Sequence, residues 1–120
     1  MYGVPSSLDL TPFHGSSLDQ IALGQYLVQF RFSGDPPMEI GVEGRWELRA
    51  ADGAVVDGAQ DNASRDVYRV HALLGRTVVR SEVHAPKSLV LHFNSGHALE
   101  IFDDDAGYES FSIQPGDIFV

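Results

Sequence analysis

The sequence predicts an α+β domain, mainly antiparallel β, built as two similar helix-plus-meander units packed as a sandwich or a partly open barrel. Three observations predict it. Residues 89–113 carry three short runs, 89–93, 98–102 and 108–113, in which apolar side chains alternate with others. A polar turn containing Gly96 and an acidic turn containing Gly107 separate the runs, the pattern of a three-stranded meander. A more worn copy of that pattern occupies the first half, and a short helical signal precedes each copy.

Taken in order, Ser7 is a candidate N-cap for a helical turn over residues 8–14, kept brief by Pro12 and closed by Gly15. Residues 17–23 follow as a strand with Ile21 and Leu23 on one face, broken by Gly24. In residues 26–32, Tyr26, Val28, Phe30 and Phe32 alternate with Leu27, Gln29 and Arg31, so the first set is predicted to face the core. Residues 33–37 turn the chain, 38–42 return with Met38, Ile40 and Val42 in phase, and Gly44 marks a turn or bulge before 45–49. Residues 50–63 are rich in Asp, Gly, Ala and Asn and read as a connector, with Val55 and Val56 as a strand fragment. Ser64 is a candidate cap for a helix over 65–74, where Val67, Val70 or His71 and Leu74 form a stripe and Gly75 closes the end. A β-rich run over 77–84, the meander, and a short terminal strand over 118–120 complete the chain.

Overlaying the halves places Gly15 on Gly75, Trp46-Glu47 on Tyr108-Glu109, and a Phe-x-Phe-Ser-Gly run on a His-Phe-Asn-Ser-Gly run. The register that keeps both apolar faces inward sets Val28 on Leu89, Phe30 on Leu91, Phe32 on Phe93 and Ile40 on Ile101, because a one-residue slip would turn every side chain over. The predicted organisation is one domain over 1–120: unit one at about 7–49, connector at about 50–63, unit two at about 64–120.

Of 120 residues, 43% are hydrophobic and 10% aromatic, which excludes disorder. With no cysteine there is neither a disulfide nor a zinc-thiolate site. The first residues lack the basic and apolar regions of a signal peptide and no run is long enough for a membrane helix, so the expected compartment is the cytoplasm. Seventeen acidic against eight basic residues give a formal charge of -9. Such a field repels phosphate backbones and anionic lipids, so nucleic acid and membrane are not expected as partners, while a basic protein is.

Asp103, Asp104 and Asp105, with Glu109, form the densest acidic cluster, yet they lack the alternating ligand spacing of an EF-hand loop. A solvated hairpin turn is the reading, and no metal or cofactor is expected. His14, His71, His84, His92 and His97 include no His-x-x-x-His pair, although His92 and His97 lie across one hairpin. No serine sits in a Gly-x-Ser-x-Gly elbow, and no Gly-rich phosphate loop is present. Asp103, Asp104, Asp105, Tyr108, Glu109 and Trp46 are therefore candidates for partner contact, the aromatics as anchors beside carboxylates. Core packing is the plainer alternative for the two aromatics. Glu47 and Glu109, each following an aromatic, suggest a structural pairing to Arg45, Arg49 or a backbone amide.

The opening Met-Tyr-Gly-Val-Pro, the run over 42–48 (Val-Glu-Gly-Arg-Trp-Glu-Leu), the run over 73–78 (Leu-Leu-Gly-Arg-Thr-Val), and Asp103-Asp104 with Tyr108-Glu109-Ser110-Phe111 resemble a family of small bacterial proteins known only as a domain of unknown function. The resemblance spans nearly the whole chain. It implies a bacterial cytoplasmic domain and transfers no catalytic residue, and similar domains beside toxin genes suggest an immunity role. The expected function is a non-enzymatic, acidic protein-binding module, an immunity protein against a basic toxin being one form of it. A small-molecule-binding barrel or enzyme and a homodimerising structural domain are the alternatives.

A ligand that binds only the native state adds about 2.7 kcal/mol at a hundredfold excess over Kd. Millimolar calcium is therefore expected to leave the Tm unmoved in a thermal melt. A rise of several degrees that vanishes in Asp104→Asn would make the acidic turn a cation site.

Overall fold

The structure is a computed structural model that describes residues 2–58, 69–104, 109–116 and 118–120. Ten strands are described: β1 (Ser17–Leu23), β2 (Val28–Ser33), β3 (Met38–Val42), β4 (Trp46–Arg49), β5 (Val55–Gly58), β6 (Val78–His84), β7 (Ser88–Phe93), β8 (Ala98–Phe102), β9 (Phe111–Gln114) and β10 (Ile118–Phe119). They form two five-stranded antiparallel sheets, ordered β1-β2-β3-β9-β10 and β5-β4-β8-β7-β6.

This overturns the α+β expectation of two helix-plus-meander units. The described residues contain no α-helix, only two 3-10 turns, Thr11–Phe13 and Val70–Leu73. Asp9, not Ser7, holds the start of the first, its Oδ1 accepting the Thr11 amide at 3.0 Å and the Thr11 hydroxyl at 2.7 Å. The predicted helix over 65–74 keeps only its last turn in the described residues, and Ser64, Arg65 and Val67 lie outside them. The Val70 end of that turn is held by Asp57, whose Oδ2 accepts the Val70 amide at 2.7 Å and whose Oδ1 accepts the Gly58 amide at 2.8 Å.

Nor do the halves pack as self-contained units or close into one barrel. Strands β1, β2 and β3 make most of the first sheet, but the chain then crosses and adds β4 and β5 to the second. Likewise β6, β7 and β8 belong to the second sheet, and β9 and β10 return to the first. Each sheet is therefore completed by strands from the other half.

Alternation decides what is inside. Val28, Phe30 and Phe32 of β2, Ile40 and Val42 of β3, Leu89, Leu91 and Phe93 of β7, and Leu99 and Ile101 of β8 are all buried in one apolar cluster shared by both sheets. Tyr26, predicted to face inward, is exposed, and so is Leu23. β2 begins only at Val28, which leaves Tyr26 in the hairpin turn, and a bulge between Leu18 and Gln20 sets Leu18, Ile21 and Leu23 opposite the buried Phe32, Phe30 and Val28, with Leu23 at the exposed end of the strand. A matching bulge falls between Val78 and Arg80 of β6. Across β2-β3, Phe30 faces Ile40; across β7-β8, Leu91 faces Leu99. With Phe30 set on Leu91, Ile40 thus corresponds to Leu99 and not to Ile101, because the two hairpin turns differ in length.

The starts of β1 and β6 clasp the two sheets together. Gly15 and Gly75 follow the two 3-10 turns at φ 83° and 81°, a backbone that glycine adopts without strain. The Gly15 amide donates to the Val78 carbonyl and the Gly75 amide to the Leu18 carbonyl, both at 2.8 Å, around a bridge between Ser17 and Thr77. Residues 50–54 form the turn of the β4-β5 hairpin, where the Ala50 amide donates to the Ala54 carbonyl.

Phe32 and Phe93 sit inside at 2% exposure, while Arg31, on the opposite face, pairs with Glu39 at 2.8 Å near solvent. Phe32→Ala and Phe93→Ala are each expected to cost about 3–5 kcal/mol in denaturant unfolding, from lost transfer energy and the cavity left behind. Arg31→Ala should cost under about 1 kcal/mol, as an exposed ion pair does. A Phe93→Ala protein as stable as the parent would disprove the inward register.

Candidate functional site

The chain crosses between the sheets twice, at 43–45 and at 103–110, and the crossings are bonded side by side. The Ser110 carbonyl accepts the amides of Glu43 and Gly44, both at 3.0 Å, and the Arg45 carbonyl accepts the Phe102 amide at 3.0 Å. Gly44 lies close against this crossing, where a Cβ would stand 3.5 Å from the Cα, Cβ and O of Ser110, ordinary van der Waals contact. Polar side chains spill from the crossings onto the outer faces of both sheets.

On the second sheet, charges interleave. Arg45 Nε donates to Asp104 at 2.6 Å and its NH1 to Glu47 at 3.1 Å; Arg49 then bonds both Glu47, at 2.9 Å, and Glu100. Ser88 Oγ donates to the other Glu100 oxygen at 2.5 Å. The Arg45 guanidinium also lies 3.5 Å from the centroid of the Phe102 ring. The structural pairing predicted for Glu47 is thus present, with both arginines. Arg45, His84, Lys87, Glu100, Phe102, Asp103 and Asp104 line a cleft of about 420 Å³ here, and acidic and basic side chains are mixed within it.

On the first sheet they are not. Leu27, Gln29, Glu39, Gly41, Glu43, Glu109, Ser112 and the half-exposed Phe119 line a depression of about 210 Å³ that contains three carboxylates and no basic side chain. Glu39, Gly41 and Glu43 come from one strand and its extension, each two residues from the next, so they share the outward face while Ile40 and Val42 are buried. Gly41 lies between Gln29 of β2 and Ser112 of β9, and its missing side chain makes the floor. Glu39 is paired with Arg31, and Gln29 Oε1 accepts from the same guanidinium at 2.9 Å. Glu43 and Glu109 have no such partner among the described residues. Glu109 Oε1 is shut off from water and accepts no hydrogen bond there, a costly position for a carboxylate oxygen.

The six predicted contact residues therefore part company. Trp46 is a correction: it is fully buried, its ring edge-on to Phe30 at 5.7 Å, joining the two sheets in the core, so it offers no anchor at the surface. Asp103 is used internally, its Oδ2 accepting the Gly3 amide at 2.5 Å and its Oδ1 the Ser110 hydroxyl at 2.8 Å. Asp104 is exposed but paired with Arg45. Asp105 and Tyr108 lie outside the described residues. Glu109 alone reaches the unneutralised depression. Sequence reasoning missed Glu39, Gly41 and Glu43, although their spacing by two, out of phase with Met38, Ile40 and Val42, is the signal that finds them.

The family of unknown function DUF6188 matches residues 9–117. A 48-residue stretch, 40% of this chain, is 38% identical to the flap endonuclease Xni of Sodalis glossinidius, and the chain spans only 19% of that protein's length. No solved structure matches the chain. No described helix is long and apolar enough to cross a membrane.

Burial alone would raise the Asp103 carboxyl, but the hydrogen bonds it accepts, from Ser110 and Gly3 among them, outweigh that and hold it below its ordinary value of 3.8. A carboxylate depressed in the folded state contributes stability that is fully present above the unfolded pKa and is lost as the pH falls through the folded one. Asp103→Asn is expected to lower stability at pH 7 and to flatten its decline below about pH 4. Urea midpoints from pH 6 to pH 2.5 test this; parallel curves for the two proteins would contradict it.

Proposed function

We propose that this chain, which belongs to the family of unknown function DUF6188, is a non-catalytic module that binds a basic protein through the acidic outer face of its first sheet. One observation carries the reading: Glu109 and Glu43 border a recess without a cation among its lining residues, and a Glu109 oxygen there lacks any donor among the described residues. A partner that supplies positive donors relieves both the repulsion between carboxylates and the unsatisfied acceptor. The charge of -9 favours such a partner over long range.

An immunity protein that neutralises a basic toxin is the biological setting that best fits this chemistry. The same acidic field disfavours a phosphate backbone, so the endonuclease name of the short relative is not carried to this chain. A homodimer is the second reading, supported by Phe119, which is half exposed on the two-residue edge strand β10.

Affinity capture from the native lysate, with mass spectrometry and then surface binding kinetics, tests the proposal. The expected partner is basic, and raising salt from 50 to 500 mM should slow association by about tenfold or more while dissociation changes little. Glu43→Lys should slow association in the same way. Kinetics indifferent to salt and to Glu43→Lys would overturn the reading, and a concentration-dependent mass with no captured partner would favour the homodimer.

A further inference from the structure

We draw no further inference here: the strongest candidate, the cleft of about 420 Å³ beside the β6-β7 hairpin turn on the outer face of the second sheet, mixes acidic side chains already bonded within the protein with the exposed basic side chains of His84 and Lys87, and nothing in the structure shows what would occupy it.

Discussion

The structure depends on the hydrogen-bonded pairing of its two sheet crossings. Neither half of the chain completes a sheet: each contributes three strands to one and two to the other. The exchange is possible only where the strands leaving one sheet pass the strands arriving from the other. There, Ser110 is wholly buried, its carbonyl taking the amides of Glu43 and Gly44, its amide meeting the Val120 carbonyl and its hydroxyl meeting Asp103. Buried backbone groups away from a regular ladder must find such partners or be costly, which is why the crossings carry hydroxyl, glycine and carboxylate instead of apolar residues.

The same constraint places the candidate site. Residues that satisfy the crossings are polar, and those that flank them emerge on the outer faces. On the second sheet, Arg45 and Arg49 alternate with Glu47, Glu100 and Asp104, and their stems lie along the outer face that carries the buried Val90. On the first sheet, Arg31 is taken by Glu39 and Gln29, so Glu43 and Glu109 are left to the recess. An overall negative charge thus becomes a local one, because the cations are distributed unevenly between the faces.

Much of the fold was legible in the residues. Strands over 38–42 and 89–93 are marked by period-two alternation of large apolar side chains, and Phe32 and Phe93 are inward as such alternation requires. The helical signals misled. A capping residue followed by a stripe of three apolar side chains fits an α-helix and a single 3-10 turn equally well, and the choice is made by how soon the chain must join a sheet. At Thr11–Phe13 and Val70–Leu73 it must do so within a few residues. Of the site, Glu109 was singled out by its place beside an aromatic; Trp46 was misassigned because period two gives the face a residue shares, not whether the opposite face is covered by a second sheet.

By itself, the sequence determined which residues alternate, where glycine breaks the chain and how much negative charge the surface must carry, because these are local or additive properties. It determined that Ile40 and Val42 oppose Glu39, Gly41 and Glu43 on a single strand. Only the tertiary structure decided that β3 lies beside β9, that Glu109 therefore faces the same recess as Glu43, and that Asp103 is consumed within the crossing. Those relations join residues up to 100 positions apart. Side-chain alternation fixes a strand's two faces but says nothing of which strand will lie next to it; that choice belongs to the exchange of strands between the sheets.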